Sequence, residues 1–390
     1  MGAGELAAAI DHRIWRVLGD PLLAPTASGP LDGHTVAVKD LFAVAGHRRG
    51  AGNPDWLAEA EPEPVSAWAV TALLDAGAMI TGIAHTDEFA YSIAGRNAHY
   101  GTPPNIAVPG AIPGGSSSGP AAAVAAGQAS IGLGTDTAGS IRVPASYQGL
   151  WGIRTTHGSI PEDGVLPLAP SFDTVGWLTR DAVTLAAAAR ASGAGDLELT
   201  GAEVVMDASL LQILDAEVSE AFFERIAALD PTVIDLGEPV DAFEAFRVVQ
   251  GAEAWAQLGP WITAHPDSLS PDIAARFAWA RAITPDEVAD AAGAMKEIRR
   301  RLDDQLAGRI LLLPTTPTPA PSLAASTADL ERIRMATLTL TALAPIGGYP
   351  AVSAPYLSVP TAGRRAPVGL CFVGPRGTDL ALIAFAEAAA

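Results

Sequence analysis

Three residues that can perform hydrolytic chemistry lie in segments built from small or apolar residues. Lys39 follows the apolar run at 35–38. Ser116 follows a pair of glycines, and Ser140 ends the glycine-rich turn at 134–140. A serine hydroxyl becomes a strong nucleophile when a nearby base removes its proton, and an amine kept neutral by burial can be that base. The three residues could therefore form a hydrolytic site that needs no histidine.

The turn before Ser140 contains only small residues at 137–139. Such a loop can direct successive backbone N–H groups into one concavity, because little side-chain bulk blocks it. A tetrahedral oxyanion formed on a carbonyl carbon needs donors of this kind. Asp136 and Arg142 flank the turn, and we expect them to clamp it through a charge-assisted hydrogen bond. An ordinary glycine-rich turn explains the segment equally well.

The serine cluster that begins at Ser116 has two further interpretations. Ser117 or Ser118 could cap the helix predicted directly after the cluster. The same string fits G-x-S-x-G centred on Ser117, which is the nucleophile elbow of α/β-hydrolases. That elbow requires a strand immediately upstream, and Pro109 and Pro113 disfavour a central strand there. The sequence therefore favours capping over the elbow.

Lys39 ends a run that is predicted to be buried. An unpaired lysine there would be costly, so it must be paired or neutral with a lowered pKa. Asp40 is the obvious partner for a structural salt bridge. A neutral, desolvated amine would instead be able to act as a general base. Both interpretations stay open at this point.

Strands alternate with helices along the chain, which favours an α/β fold with a sheet covered on both faces. Strands are predicted at 35–42, 79–85, 129–133, 232–236, 309–313 and 368–373. Helices are predicted at 65–76, 120–129, 181–193, 216–228, 241–257, 285–306, 329–344 and 377–389. The proline-rich tract at 314–321 predicts a stiff, extended connector that is too short to link two domains.

Composition narrows the classes of partner. The 390 residues carry a net charge of −19, from 24 basic and 43 acidic side chains. Such a surface repels phosphate backbones and anionic membranes, so we expect no nucleic-acid or membrane partner. The histidines lack the spacing of metal ligands. The single cysteine, Cys371, rules out an internal disulfide and a zinc cluster and is predicted to be a core residue.

The N-terminal segment at 1–7 lacks the basic start and long apolar stretch of a secretion signal. The apolar segments of the chain are interrupted by Gly, Pro, Gln or Thr before they reach the length of a membrane span. These two observations predict a cytoplasmic protein.

Taken together, the segments resemble the amidase-signature family. The motifs that carry the resemblance lie at 33–42, 97–103, 113–127, 132–145, 172–176, 367–370 and 373–377. The similarity covers about 29–182 and resumes at about 311–382, with a divergent middle region at 195–310. The resemblance implies one α/β/α domain over 1–390, with a mixed central sheet covered by helices on both faces.

The resemblance also implies a Ser–cisSer–Lys triad. Ser140 would be the nucleophile, Ser116 the bridging serine preceded by a cis peptide bond, and Lys39 the base. The backbone N–H groups of the turn would form the oxyanion hole, which is built from Thr137, Ala138, Gly139 and Ser140. Asp136, Arg142 and Ser117 would support the site. The reaction implied is hydrolysis of an amide through an acyl-enzyme, with no metal or organic cofactor.

The substrate class is less constrained. The chain looks most like the compact amidases that hydrolyse indole-acetamide, which predicts a small aryl or aliphatic carboxamide as substrate. Ala138 stands where many members have glycine, as it can in allophanate hydrolases, but the arginine with which those enzymes bind carboxylate is missing from 169–173.

Two alternatives concern the kind of protein. An amidase subunit of a tRNA-dependent amidotransferase is disfavoured by the short middle region at 195–310. A non-enzymatic scaffold on the same fold is disfavoured because Lys39, Ser116 and Ser140 are all present. The expected partner is therefore a small-molecule amide, and a homodimer is compatible with this class.

Overall fold

A mixed sheet of eleven strands organises the part of the chain that the computed structural model describes, residues 10–361 and 363–390. In chain order the strands are β1 (Trp15–Leu23), β2 (Thr35–Lys39), β3 (Met79–Ala84), β4 (Ile131–Thr135), β5 (Trp151–Arg154), β6 (Val175–Thr179), β7 (Glu203–Asp207), β8 (Thr232–Ile234), β9 (Arg309–Pro314), β10 (Ala351–Thr361) and β11 (Arg364–Val373). Their order across the sheet is β1-β3-β2-β4-β6-β5-β10-β11-β9-β7-β8.

Helices connect and cover these strands. They are α1 (Pro54–Glu59), α2 (Trp68–Asp75), α3 (Ser118–Ala125), α4 (Arg142–Gln148), α5 (Ala182–Ala191), α6 (Ala208–Leu211), α7 (Ala216–Ile226), α8 (Pro239–Ala264), α9 (Pro271–Ala282), α10 (Pro285–Leu306), α11 (Thr327–Thr341), α12 (Leu343–Gly347) and α13 (Asp379–Ala388). None of the described helices combines the length and the apolar composition that crossing a bilayer requires.

The core lies on both faces of the sheet, because successive side chains of a strand point to opposite faces. In β2, Val36 and Val38 belong to a buried cluster shared with α2, α5, α7 and α13. Ala37 belongs to a cluster on the other face, together with α3 and α4. Helices α8, α10, α11 and α12 pack on that second face as well. The predicted α/β class, with a mixed sheet flanked by helices, is confirmed.

Two neighbouring parallel strands bring site residues together where their carboxyl ends meet. Strands β2 and β4 are neighbours, with Val36 opposite Ile131 and Val38 opposite Leu133. Their carboxyl ends, Lys39 and Thr135, therefore end side by side. Ligand sites of open α/β sheets form at such carboxyl ends. Strand β2 is shorter than predicted, because the chain turns where the amides of Leu41 and Phe42 both donate to the Lys39 carbonyl.

Two predictions from the sequence concern the N-terminal segment and the internal division of the chain. The segment at 1–7, which carried the prediction of a cytoplasmic protein, lies outside the described residues. The predicted division into a core at 29–182, a middle region and a C-terminal segment stays a prediction. Cys371, by contrast, is buried in β11 with a free thiol, which confirms its expected place in the core.

Candidate active site

Lys39 is fully buried, and its side-chain nitrogen contacts two hydroxyls. Nζ donates to Ser116 Oγ at 2.8 Å and to Thr135 Oγ1 at 2.7 Å. Asp40 pairs instead with Arg16, whose Nε lies 2.7 Å from Oδ2. The interpretation of Lys39 and Asp40 as a salt bridge is therefore wrong, and Lys39 forms no ion pair with any residue that the structure describes.

Burial lowers the pKa of Lys39 to about 7. The charges of Asp87, Asp136 and Asp173 act in the opposite direction, but they do not cancel the effect of burial. An amine with this pKa is neutral in a large fraction of molecules at neutral pH. It can therefore accept a proton from the Ser116 hydroxyl that it contacts.

Ser116 is held in place through its backbone. The peptide bond between Gly115 and Ser116 is cis. The Ser116 carbonyl accepts hydrogen bonds from Thr86 Oγ1 at 2.9 Å and from the Asp87 amide at 3.2 Å. These contacts leave the hydroxyl facing Lys39.

Ser117 and Ser118 do not cap α3. Ser117 occupies the N-cap position without a side-chain hydrogen bond to the helix. Its hydroxyl donates to the Thr135 carbonyl at 3.3 Å, and the Ser118 hydroxyl donates to Asp87 Oδ1 at 3.1 Å. The capping interpretation is thus wrong for both, because polar groups beyond the helix compete for these hydroxyls. The Ser117 amide instead donates to the Ser140 carbonyl at 3.1 Å, which ties the two serine loops together.

The neighbouring serines give a matched pair of variants. We expect Ser116→Ala to lower kcat by about 10³-fold or more, because it removes the hydroxyl that contacts Lys39. Ser117→Ala removes one long hydrogen bond to a carbonyl and should lower kcat by less than about tenfold. Steady-state kinetics on one amide substrate compare kcat of the two variants, and thermal melts check that both fold. A larger defect in Ser117→Ala would contradict the assignment of Ser116.

The turn before Ser140 is clamped by one carboxylate. Asp136 accepts two hydrogen bonds from the Arg142 guanidinium, Nε to Oδ2 at 3.0 Å and Nη2 to Oδ1 at 2.9 Å. Arg154 lies 3.5 Å from the same carboxylate and donates to the Asp136 carbonyl. Burial alone would raise the pKa of Asp136, but the two guanidinium groups outweigh it and hold the pKa far below the usual range. The clamp expected between Asp136 and Arg142 is therefore present, and all three side chains are buried.

The turn offers fewer free amides than expected. The Gly139 amide donates to Asp136 Oδ1 at 2.8 Å, so its predicted place in the oxyanion hole needs correction. The amides of Thr137, Ala138 and Ser140 have no acceptor among the described residues. They are the donors left for an oxyanion.

Gly139 is needed here for its backbone. Its φ is +127°, a conformation that L side chains rarely adopt, and a Cβ would lie 3.0 Å from Val143 and 3.1 Å from Thr341. Thr341 also donates through Oγ1 to the Ala138 carbonyl at 2.5 Å. The turn is thus fixed against α11, and the methyl group of Ala138 is accommodated at 4% exposure.

Ser140 opens into a small cavity of about 30 Å³. The wall combines apolar groups with a few polar ones; it is lined by Ala90, Tyr91, Ser92, Ile93, Thr137, Ala138, Ser140, Leu168, Gln250, Arg334 and Leu338. The Ser140 hydroxyl makes no hydrogen bond with any residue in the described ranges, so it is free to meet a substrate. Its expected contact with Ser116 is not among the observed hydrogen bonds.

Several site residues were missed by the sequence analysis. Thr135 binds the amine of Lys39, and its place in the same glycine-rich segment as Ser140 was the available signal. Arg154 and Asp87 had no such signal, because they reach the site from β5 and from the turn after β3. Gln250 comes from α8, within the region predicted to be divergent.

Buried serines and a lysine of lowered pKa at the carboxyl edge of a mixed sheet fit an amide hydrolase. The chain belongs to the amidase family: the model of that family, described as Amidase, matches residues 20–213. The chain is 34% identical to Amidase 1 of Oryza sativa subsp. japonica over 93% of its own length and 91% of that protein. It is an amide hydrolase by this membership, which confirms the predicted family and enzyme class.

Two further likenesses agree. A 2-amino-5-chloromuconic acid deaminase of Comamonas testosteroni is 33% identical over 92% of this chain and 81% of that protein. A solved structure reported as the crystal structure of amidase has a TM-score of 0.82 and 31% identity, covering 93% of this chain and 85% of that one. The similarity therefore extends over nearly the whole chain, well beyond the segment that the family model matches.

Proposed function

We propose that the chain hydrolyses a small aryl or aliphatic carboxamide, with Ser140 as nucleophile, Ser116 as bridging hydroxyl and Lys39 as base. The observation that carries this proposal is the 2.8 Å hydrogen bond between Lys39 Nζ and Ser116 Oγ in a fully buried site. A base must reach the proton that it removes before its pKa matters, and here the distance and the lowered pKa agree.

The steps follow from this arrangement. Neutral Lys39 takes a proton from Ser116, Ser116 takes one from Ser140, and Ser140 attacks the amide carbonyl. The oxyanion that forms is stabilised by the free amides of the turn, which is clamped by Asp136 and thus ordered in advance. The protonated relay then delivers a proton to the departing amine. Water hydrolyses the acyl-enzyme by the reverse relay.

The finer assignment to the indole-acetamide-hydrolase type is part of this proposal. Apolar side chains of Ile93, Leu168 and Leu338 line the cavity next to Ser140 and suit a small hydrocarbon group. The overall similarity to a relative named Amidase 1 also supports a free-standing amidase. We propose that the enzyme acts on its small-molecule substrate in the cytoplasm, as a single chain or a homodimer.

Labelling with a fluorophosphonate, followed by mass spectrometry of the modified peptide, tests the proposed nucleophile. We expect one covalent adduct, on Ser140, and hydrolysis of at least one member of a panel that begins with indole-acetamide and benzamide. An adduct on Ser117 would restore the nucleophile elbow. Absence of both an adduct and hydrolysis would favour the scaffold interpretation or a partner-dependent enzyme.

A further inference from the structure

A larger cavity borders the one that holds Ser140. Its volume is about 420 Å³, and it shares Ile93 and Arg334 with the smaller cavity. Arg334 therefore lies where the acyl group of a substrate would pass from Ser140 into the larger cavity. Arg334 lies on α11 with 23% of its side chain exposed.

The wall of the larger cavity is positively charged although the chain is strongly acidic. Its charged lining residues are Arg96, Arg276 and Arg334 against Asp272 and Glu331, three positive charges to two negative. The local excess of one positive charge contrasts with the net charge of −19 of the whole chain. Such a local inversion attracts anionic ligands to a site on an otherwise repelling surface.

Arginine side chains also surround Tyr91 at the wall of the small cavity. Burial raises the pKa of Tyr91 to about 12, and the charges of Arg276, Arg334 and Arg247 act against it. Arg276 donates to the Tyr91 carbonyl, and its carboxylate neighbour Asp272 is 3.9 Å away. The positive charge of Arg276 is shared among the carboxylates of Asp272, Glu331 and Asp87, and its guanidinium group contacts Tyr91, which lines the cavity of Ser140.

Arg334 keeps donors for a ligand. Its Nε and Nη2 each donate to Glu331 at 2.8 Å, while Nη1 has no acceptor among residues 10–361 and 363–390. Guanidinium groups bind carboxylates through parallel N–H donors. Glu331 already compensates part of the positive charge of the cavity wall. The net charge of +1 that the wall keeps matches the single negative charge of a carboxylate better than the two charges of a divalent phosphate.

We infer that Arg334 determines specificity by binding a carboxylate at the far end of the acyl chain, so that the preferred substrates are monoamides of dicarboxylic acids. This inference rests on the proposed function, since it takes Ser140 as the point of attack, and it narrows the proposed substrates to aliphatic carboxamides rather than indole-acetamide. The apolar residues Ile93, Leu168 and Leu338 contact the hydrocarbon between the two ends. Arg334 touches the substrate away from the reacting atoms and therefore acts through binding.

Kinetics on matched substrates test the inference. Succinamate, glutaramate and adipamate are compared with the corresponding diamides, which replace the carboxylate by a neutral group of similar shape. We expect the wild type to prefer the acid amide of the best chain length by about 30-fold in kcat/KM, since hydrogen bonds to charged groups are worth this much. Arg334→Gln should raise KM for that acid amide about 30-fold, change kcat less than about threefold and raise KM for the diamide far less than for the acid amide.

Arg332→Gln is the matched control, because it removes the same charge from an exposed position of the same helix outside the cavity lining. It should change KM for the acid amides less than about twofold. If the wild type shows no preference for the acid amides, or if both arginine variants lower it equally, the inference is overturned.

Binding without turnover separates this inference from the proposed function. Calorimetric titration of Ser140→Ala with the same compounds should show tighter binding of the acid amide than of its diamide, and Ser140→Ala/Arg334→Gln should lose that difference. Such a result without any hydrolysis by the wild type would support the role of Arg334 and contradict the proposed reaction. Equal binding of acid amide and diamide would overturn the role of Arg334 even if hydrolysis occurs.

Discussion

Replacement of Ser140 by alanine is expected to lower kcat by about 10⁴-fold or more and to abolish labelling by a fluorophosphonate. The loss follows because the variant has no hydroxyl to form the acyl-enzyme, and removal of a nucleophile has effects of this size in serine hydrolases. KM for the best amide should change little, since the cavity walls stay in place. Steady-state kinetics and intact-protein mass spectrometry measure the two effects.

The same variant should fold normally. The Ser140 hydroxyl makes no hydrogen bond within the described part of the chain, so its removal should change the free energy of unfolding by less than about 1 kcal/mol. A thermal melt provides this control. Retention of more than a tenth of the activity in a fully folded Ser140→Ala protein would refute its role as nucleophile.

Replacement of Lys39 by methionine is the second change with a large expected effect. Methionine keeps most of the volume and removes the amine, so kcat should fall by about 10³-fold or more. In the proposed mechanism the neutral amine of Lys39 is the active form, and burial lowers the pKa of Lys39 to about 7. We therefore expect kcat/KM to rise about tenfold per pH unit below pH 7 and to level off above it. Rate measurements from pH 5 to 9 show whether this rise of kcat/KM with pH disappears in the variant.

Stability gives an independent readout of the same lysine. Its pKa falls from 10.5 in the unfolded chain to about 7 in the fold, so the unfolded state binds more protons between these values. The stability of the wild type therefore rises with pH across this window, and the buried charge is most costly below pH 7. Lys39→Met should raise Tm most at pH 6 and progressively less towards pH 10. An equal change in Tm at both pH values would show that Lys39 is not desolvated.

The sequence predicted strands best where an apolar run was unbroken. Strand β10 was missed because Pro355 and Pro360 interrupt it, and the register shifts between Ala354 and Leu357, where proline is tolerated at an irregularity. Strand β6 was missed partly because it contains Gly176. A Cβ at that position would lie 2.0 Å from the Ile153 carbonyl, so the close approach of the two strands demands a residue of low strand propensity.

Other elements were missed because their signal is not local. Strand β1 pairs with β3 at the edge of the sheet and carries charged and proline residues between apolar ones. Helix α9 packs against α8 with only Ile273, Phe277 and Ala280 buried. Such sparse apolar spacing does not predict a helix by itself, because the surface that it packs against belongs to another element.

The sequence by itself determined the fold class and indicated which residues could carry the chemistry. Lys39, Ser116 and Ser140 lie in short contiguous segments whose glycines and small residues restrict the local backbone, and Asp136 and Arg142 are close enough in sequence to pair across one turn. Alternation of strands and helices was likewise visible along the chain. These features depend on local residue types, which a sequence states directly.

Only the tertiary structure decided which groups meet. It placed Lys39 against Thr135 rather than Asp40, directed the Gly139 amide to Asp136, and brought Arg334 to the cavity of Ser140. These choices depend on segments that are far apart in sequence and are packed together by the sheet. Burial and competition between hydrogen-bond partners are properties of that packing, so no local pattern could state them.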